Sequence, residues 1–195
     1  MRQNFEGMDI SFSKIVAEVK QLILKPSEFW QEKKNSDGDR TTIIAYLLPF
    51  LLVLALVVFV GEFFKRTDFF IEYPLLKAVR EILLFVLAYI IGVYFTNELI
   101  KTFGGEKDIQ TARKLVAYSL TPLLLVSMIT GLFPFLYVVD ILGMYSFYLF
   151  WVGAKELVTL PENKAHSYIL ITIVVNFFVF SFLSILLSKL LNAYY

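Results

Sequence analysis

Between Lys114 and Lys155 the sequence carries one charged residue, Asp140. A lone carboxylate in so apolar a stretch is the first candidate for chemistry. At mid-depth in a bilayer an ionised aspartate costs on the order of 3 kcal/mol, so it needs a partner or a purpose. It can accept a proton or a cation, or it can be a hydrogen-bonded strut between helices, with Tyr137 the nearest candidate donor. Other chemistries have less to stand on. His166 is the only histidine and cysteine is absent, so neither a zinc site nor a thiol nucleophile is indicated. Gly104-Gly105-Glu106-Lys107 lacks the spaced glycines of a phosphate loop and the Ser or Thr that follows its lysine. There is no serine-nucleophile motif, no carboxylate pair at a soluble cleft, and no basic patch suited to nucleic acid. The residues call for no cofactor, no metal and no catalytic group.

What must position Asp140 is a set of apolar elements. The chain has 195 residues, 58% of them hydrophobic, against about 45–50% in ordinary soluble domains. Its charges are clustered, leaving runs long enough to cross roughly 30 Å of hydrocarbon, which takes about 20 residues. Five such runs predict spans over about 43–61, 82–100, 115–132, 135–154 and 168–188. The break between the third and fourth falls at Gly131-Leu132-Phe133-Pro134, where glycine and proline punctuate the pattern. The runs lack the alternation of barrel strands, and backbone groups in lipid must pair internally, so the spans are helices. The predicted fold class is all-α: a bundle of five transmembrane helices with an N-terminal amphipathic interfacial helix. Residues 1–40 form a cytoplasmic N-terminal region and 41–195 the membrane domain.

Basic residues set the orientation. Seven lie before span one, four between spans two and three, and two between spans four and five, thirteen of the 18 in all. The other five are Lys65, Arg66, Lys77, Arg80 and Lys189. The positive-inside rule then places the N-terminus in the cytoplasm and the C-terminus outside. No cleavable signal peptide is expected, since lysines and Glu18 interrupt the first 40 residues. Within that region Phe12, Ile15, Val16, Val19, Leu22 and Ile23 recur at helical spacing, predicting an amphipathic helix over about 11–25 that Pro26 ends. Beside a membrane this is most simply an interfacial helix, with Phe29 and Trp30 dipping into the headgroups; a partner-binding helix is the alternative.

The stretch from Lys101 to Pro134 resembles the Yip1 family in its bacterial form. The resemblance is carried by Gly104 and Gly105 after span two, then Arg113, and then Ala117-Tyr118-Ser119 with Pro122 entering span three. Lys25-Pro26-Ser27-Glu28-Phe29-Trp30, Val152-Gly153-Ala154-Lys155-Glu156-Leu157 and Lys164-Ala165 agree with it, so that it covers roughly residues 20–190. It implies a five-span domain with a cytoplasmic N-terminus, in a bacterial cytoplasmic (inner) membrane. Eukaryotic relatives sit in early secretory membranes and associate with Rab GTPases and with one another. The Asp-x-Tyr-Gly-Pro-like segment that such members carry before span one is missing here, so GTPase binding is not carried over. For bacterial members the resemblance implies a fold and no settled activity.

With that topology, Asp140 lies about five residues inside the outer start of span four, roughly 8 Å deep at the α-helical rise. Pro49, Pro122 and Asn176 fall in a common layer roughly 9–12 Å from the inner face. Thr121 and Tyr118 lie beside them, and Gly92 and Ser146 reach similar depth. Prolines free backbone carbonyls, which Asn176 and Thr121 can satisfy, so the layer reads either as helix packing or as a polar seam that binds something small. Two functions follow. The first is a non-enzymatic membrane protein acting by protein–protein or helix–helix association, whose partners are the lipid bilayer and other membrane proteins or further copies of itself. The second is a small transporter or channel using the seam and Asp140.

Overall fold

The computed structural model describes residues 12–36, 40–63 and 71–194. All regular structure among them is helical, and five helices or helix pairs are long and apolar enough to cross a membrane. The elements are α1 (Phe12–Leu24), α2 (Pro26–Lys34), α3 (Arg40–Phe63) and α4 (Glu72–Thr102). They continue with α5 (Ile109–Ser119), α6 (Thr121–Leu132), a 3₁₀ segment (Pro134–Met144), α7 (Tyr145–Leu157) and α8 (Glu162–Tyr194).

Why these residues form these elements is mostly a matter of local chemistry. α3 is apolar on every side, as expected of a helix bounded partly by lipid and partly by protein. It meets α6 where Gly61 faces Gly131; a Cβ on Gly61 would lie 2.2 Å from the Gly131 carbonyl oxygen, so the two backbones touch. α4, at 31 residues about 46 Å long, begins ten residues before Ile82 and lifts Lys77 and Arg80 onto its first turns. There Lys77 pairs with Glu62, and Arg80 donates to the Ser184 carbonyl (2.8 Å) and to the hydroxyls of Ser184 (3.0 Å) and Ser188 (2.7 Å) on α8. At its other end α4 stops in a Schellman turn. Gly104 takes φ +88°, its N–H reaches the Lys101 carbonyl, and the Gly105 N–H reaches that of Ile100. Asp108 then caps α5, accepting from the N–H groups of Gln110 (2.9 Å) and Thr111 (3.2 Å). Burial works against its charge, but bonds from Thr111 and Gln110 and the nearby Lys114 outweigh it and hold the carboxyl below the usual aspartate range.

Span three is α5 and α6 joined at Leu120, where Pro122 at the second position of α6 removes an N–H from the ladder. Span four differs from the expected continuous α-helix. Residues Pro134–Met144 are 3₁₀, with Leu136 off helical geometry (φ −86°, ψ 24°), and α-helix begins only at Tyr145. Pro134 opens this segment, and Val138, Val139 and Ile141 crowd an α-helix at χ1, which favours the tighter winding. Its rise of about 2 Å per residue puts Asp140 deeper than the α-helical reckoning does.

The contacts separate two ends. At one, a Cβ on Gly105 would meet Leu160, and Lys114 reaches Lys33 and Ser36. At the other lie Gly61, Gly131, Glu62, Lys77 and Arg80.

Candidate functional site

The N-terminal segment is part of the bundle. α1 and α2 form an antiparallel hairpin that turns at Lys25-Pro26, closed across its open side by Glu18 and Lys33 (2.9 Å). Ile15 and Leu22 line the buried face of α1, and the Ile23 carbonyl accepts from the Tyr145 hydroxyl at 2.8 Å. α2 runs along α7. Phe29 and Trp30, expected in the headgroups, are 1% and 0% exposed. They sit inside protein because α7 offers a notch: a Cβ on Gly153 would lie 2.5 Å from Trp30 Cε2.

Tyr118 closes this pocket from α5. Its ring is edge-on to Phe29 (centroids 5.0 Å) and Trp30 (5.9 Å), and it packs against Tyr46 of α3 at 4.6 Å. Such edge-to-face pairs contribute about 0.5–1.5 kcal/mol each beyond their area. The Tyr46 hydroxyl in turn hydrogen-bonds Thr121 Oγ1 at 2.8 Å. Lys33 Nζ lies over the rings of Tyr118 (5.1 Å) and Phe29 (5.3 Å). Burial lowers its basicity, but Tyr118 and Glu18 outweigh that and hold its pKa above the ordinary lysine value. Lys114, 4% exposed, donates to the carbonyls of Lys33 and Ser36 (2.9 Å each), completing the C-terminus of α2.

Part of the sequence pattern that carried the resemblance is thus gathered in space. Phe29 and Trp30, Tyr118 and Gly153 come from three separated segments and touch one another. Gly104 and Gly105 abut Pro161 and Leu160 at the same end. A family model described as Yip1 domain matches residues 20–183. The chain belongs to the Yip1 family. It is a multi-pass membrane protein of Yip1 type, and the bilayer is its surrounding. No curated protein and no solved structure matches the chain.

The other expected site residues of this Yip1 domain fall in several places. Asn176 donates to Thr96 Oγ1 (3.2 Å) and the Thr172 carbonyl (2.9 Å), and its Oδ1 fills the space a Cβ on Gly92 would take. Thr121 is bound to Tyr46 instead, and Pro122 is buried beside it, so the layer divides into two contacts. Pro49 is half-buried within α3, and half-buried Arg113 lines an apolar hollow between α3, α4 and α5. Asp140 is exposed and makes no hydrogen bond or ion pair among the described residues, with Tyr137 included. Among the described residues no cluster could hold a metal ion.

Sequence reasoning passed over Lys114, Tyr46 and the pairing of Trp30 with Gly153. A signal existed for the first: Thr111, Lys114 and Tyr118 follow helical spacing, so the lysine lies on the buried face of α5.

Proposed function

We propose that this Yip1 domain acts without catalysis, by association with partners in the membrane, and that its docked N-terminal hairpin is the surface they meet. The burial of Phe29 and Trp30 in the bundle supports this reading. The hairpin is held as a platform, so a partner need not order a free tail, which lowers the entropic cost of association. On its outer side Lys14, Val16, Lys20 and Leu24 are exposed, a mixed apolar and basic face. A photo-crosslinker at Lys20 in native lipid particles should give a discrete adduct that a second crosslinker at Tyr94, exposed on α4, does not. Val16→Asp with Leu24→Asp should abolish the adduct while leaving Trp30 buried. An adduct that survives the double substitution argues against the platform.

The hairpin end faces the cytoplasm of a bacterial cell and the C-terminus lies outside, in keeping with the thirteen basic residues that the sequence carries before span one, between spans two and three and between spans four and five, against five elsewhere. In spheroplasts, Lys107→Cys should resist an impermeant maleimide and Asn192→Cys should react; the reverse pattern would invert the topology. Transport through a seam has less support, because Asn176 and Thr121 use their hydrogen bonds on Thr96, Thr172 and Tyr46.

A further inference from the structure

A cavity of about 450 Å³ lies between α4, α5, the 3₁₀ segment, α7 and α8. Its walls are apolar and aromatic, with Phe147 and Phe177 packed edge-on at 5.6 Å. Met144, Phe177 and Ile185 line it and are also exposed on the flank of the bundle, so it opens sideways onto the bilayer. Three polar groups on its lining have no partner among the described residues. Asp140, at one end, has no hydrogen bond or ion pair among the described residues. Ser119 and Ser146, 6% and 5% exposed, have buried hydroxyls without a hydrogen bond. A buried hydroxyl left unpaired costs about 1–3 kcal/mol, and two such hydroxyls on one cavity, with an unpartnered carboxylate at its mouth, point to an occupant.

We infer that this cavity binds an amphiphile with an ammonium head and a second hydrogen-bonding group further along its body. The head is set by charge. A second hollow of about 410 Å³ shares Asp140, Leu123, Phe180 and Ser184 with the first and contains Lys77 and Arg80. Those cations are engaged, Lys77 with Glu62 and Arg80 with Glu81 and two serines of α8. Among the described residues the charge left free at the mouth is therefore the Asp140 carboxylate, which selects a cation, and the phenylalanine faces favour the same sign. The second group is set by the hydroxyls. Ser146 lies six residues beyond Asp140, about 11 Å along the 3₁₀ segment and the start of α7. An alkyl chain there would leave Ser119 and Ser146 unpaired, whereas an ester, amide or hydroxyl satisfies them. Spacing by three also explains part of the lining: Asp140 and Gly143 share one edge of the 3₁₀ helix, and Ser146 follows in the first turn of α7.

The ammonium can come from an aminophospholipid of the bilayer or from a free lipophilic amine. The full chain in nanodiscs of equal phosphatidylethanolamine and phosphatidylglycerol, released for native mass spectrometry, tests the first source. Sphingosine titrated into discs of phosphatidylglycerol alone tests the second. Retained phosphatidylethanolamine that falls roughly tenfold in Asp140→Asn and persists in Asp140→Glu supports the proposal with a lipid occupant. Saturable sphingosine binding with the same dependence, and no retained phosphatidylethanolamine, supports it with a free amine. Ser146→Leu puts an isobutyl group into the cavity, removes one of its hydroxyls and leaves the carboxylate in place, so it should weaken binding of either ligand even if Asp140→Asn does not fold. Equal retention of both ligands by the wild type and Ser146→Leu, or no binding of either by the wild type, overturns the proposal.

Discussion

Gly153→Leu is expected to destabilise the protein by about 3 kcal/mol, the upper end of overpacking costs, and to free the N-terminal hairpin. The reason is contact with a buried ring that has no room to move. A Cβ on Gly153 would lie 2.5, 2.7 and 2.8 Å from three atoms of the Trp30 indole, before any further side-chain atom is added. The indole cannot step aside, because Phe29 and Tyr118 meet it edge-on at 5.5 and 5.9 Å. The helix α7 cannot retreat without breaking the Tyr145 bond to Ile23. Expelled aromatics would enter the headgroup region rather than water, so the loss is packing and ring contacts more than hydrophobic transfer. Limited proteolysis should then cut within 12–34, and thermal unfolding should begin earlier. Trp30→Ala in the Gly153→Leu background should restore part of the loss, since the clash partner is gone. An unchanged melting profile for Gly153→Leu would show that the notch is not where the hairpin rests.

Lys114→Met is expected to cost about 2–3 kcal/mol. Its ammonium reaches two carbonyls, those of Lys33 and Ser36, in a site where water has little access. Methionine keeps the length and apolar stem but leaves both acceptors without this donor, and bonds to charged groups contribute about 1.5–3 kcal/mol. Arginine should not rescue, because a planar fork does not fit where a compact ammonium sits between two carbonyls of one chain turn. Hydrogen exchange of residues 29–36 reads the effect locally: faster exchange in Lys114→Met with α8 unchanged. Exchange equal to wild type would mean that α2 is held by its aromatics alone.

The five apolar runs and their helical class were legible because lipid demands long uncharged segments whose backbone pairs internally. The stop at Gly104-Gly105 and the cap at Asp108 were legible for the same kind of reason, since residue type fixes local backbone chemistry. What escaped is whatever depends on which apolar surface meets protein. Phe29 and Trp30 have the character of belt residues, and a periodicity that marks one face of α1 does not distinguish lipid from a glycine notch on α7. Winding escaped too. An apolar run with Asp140 in it fits 3.6 or 3.0 residues per turn equally. The polar layer was placed by counting residues inward, which gave depth but no azimuth; Thr121 and Asn176 turned toward different neighbours.

The N-terminal hairpin is built into the membrane bundle through Trp30. The chain has two tryptophans, so Trp151→Phe leaves Trp30 as the sole indole. Its fluorescence in nanodiscs should be blue-shifted and resist both acrylamide in water and brominated acyl chains in lipid. Adding Gly153→Leu should make it accessible to one or both. Strong quenching by brominated lipid without that second substitution would place Trp30 in the bilayer and contradict the docked hairpin.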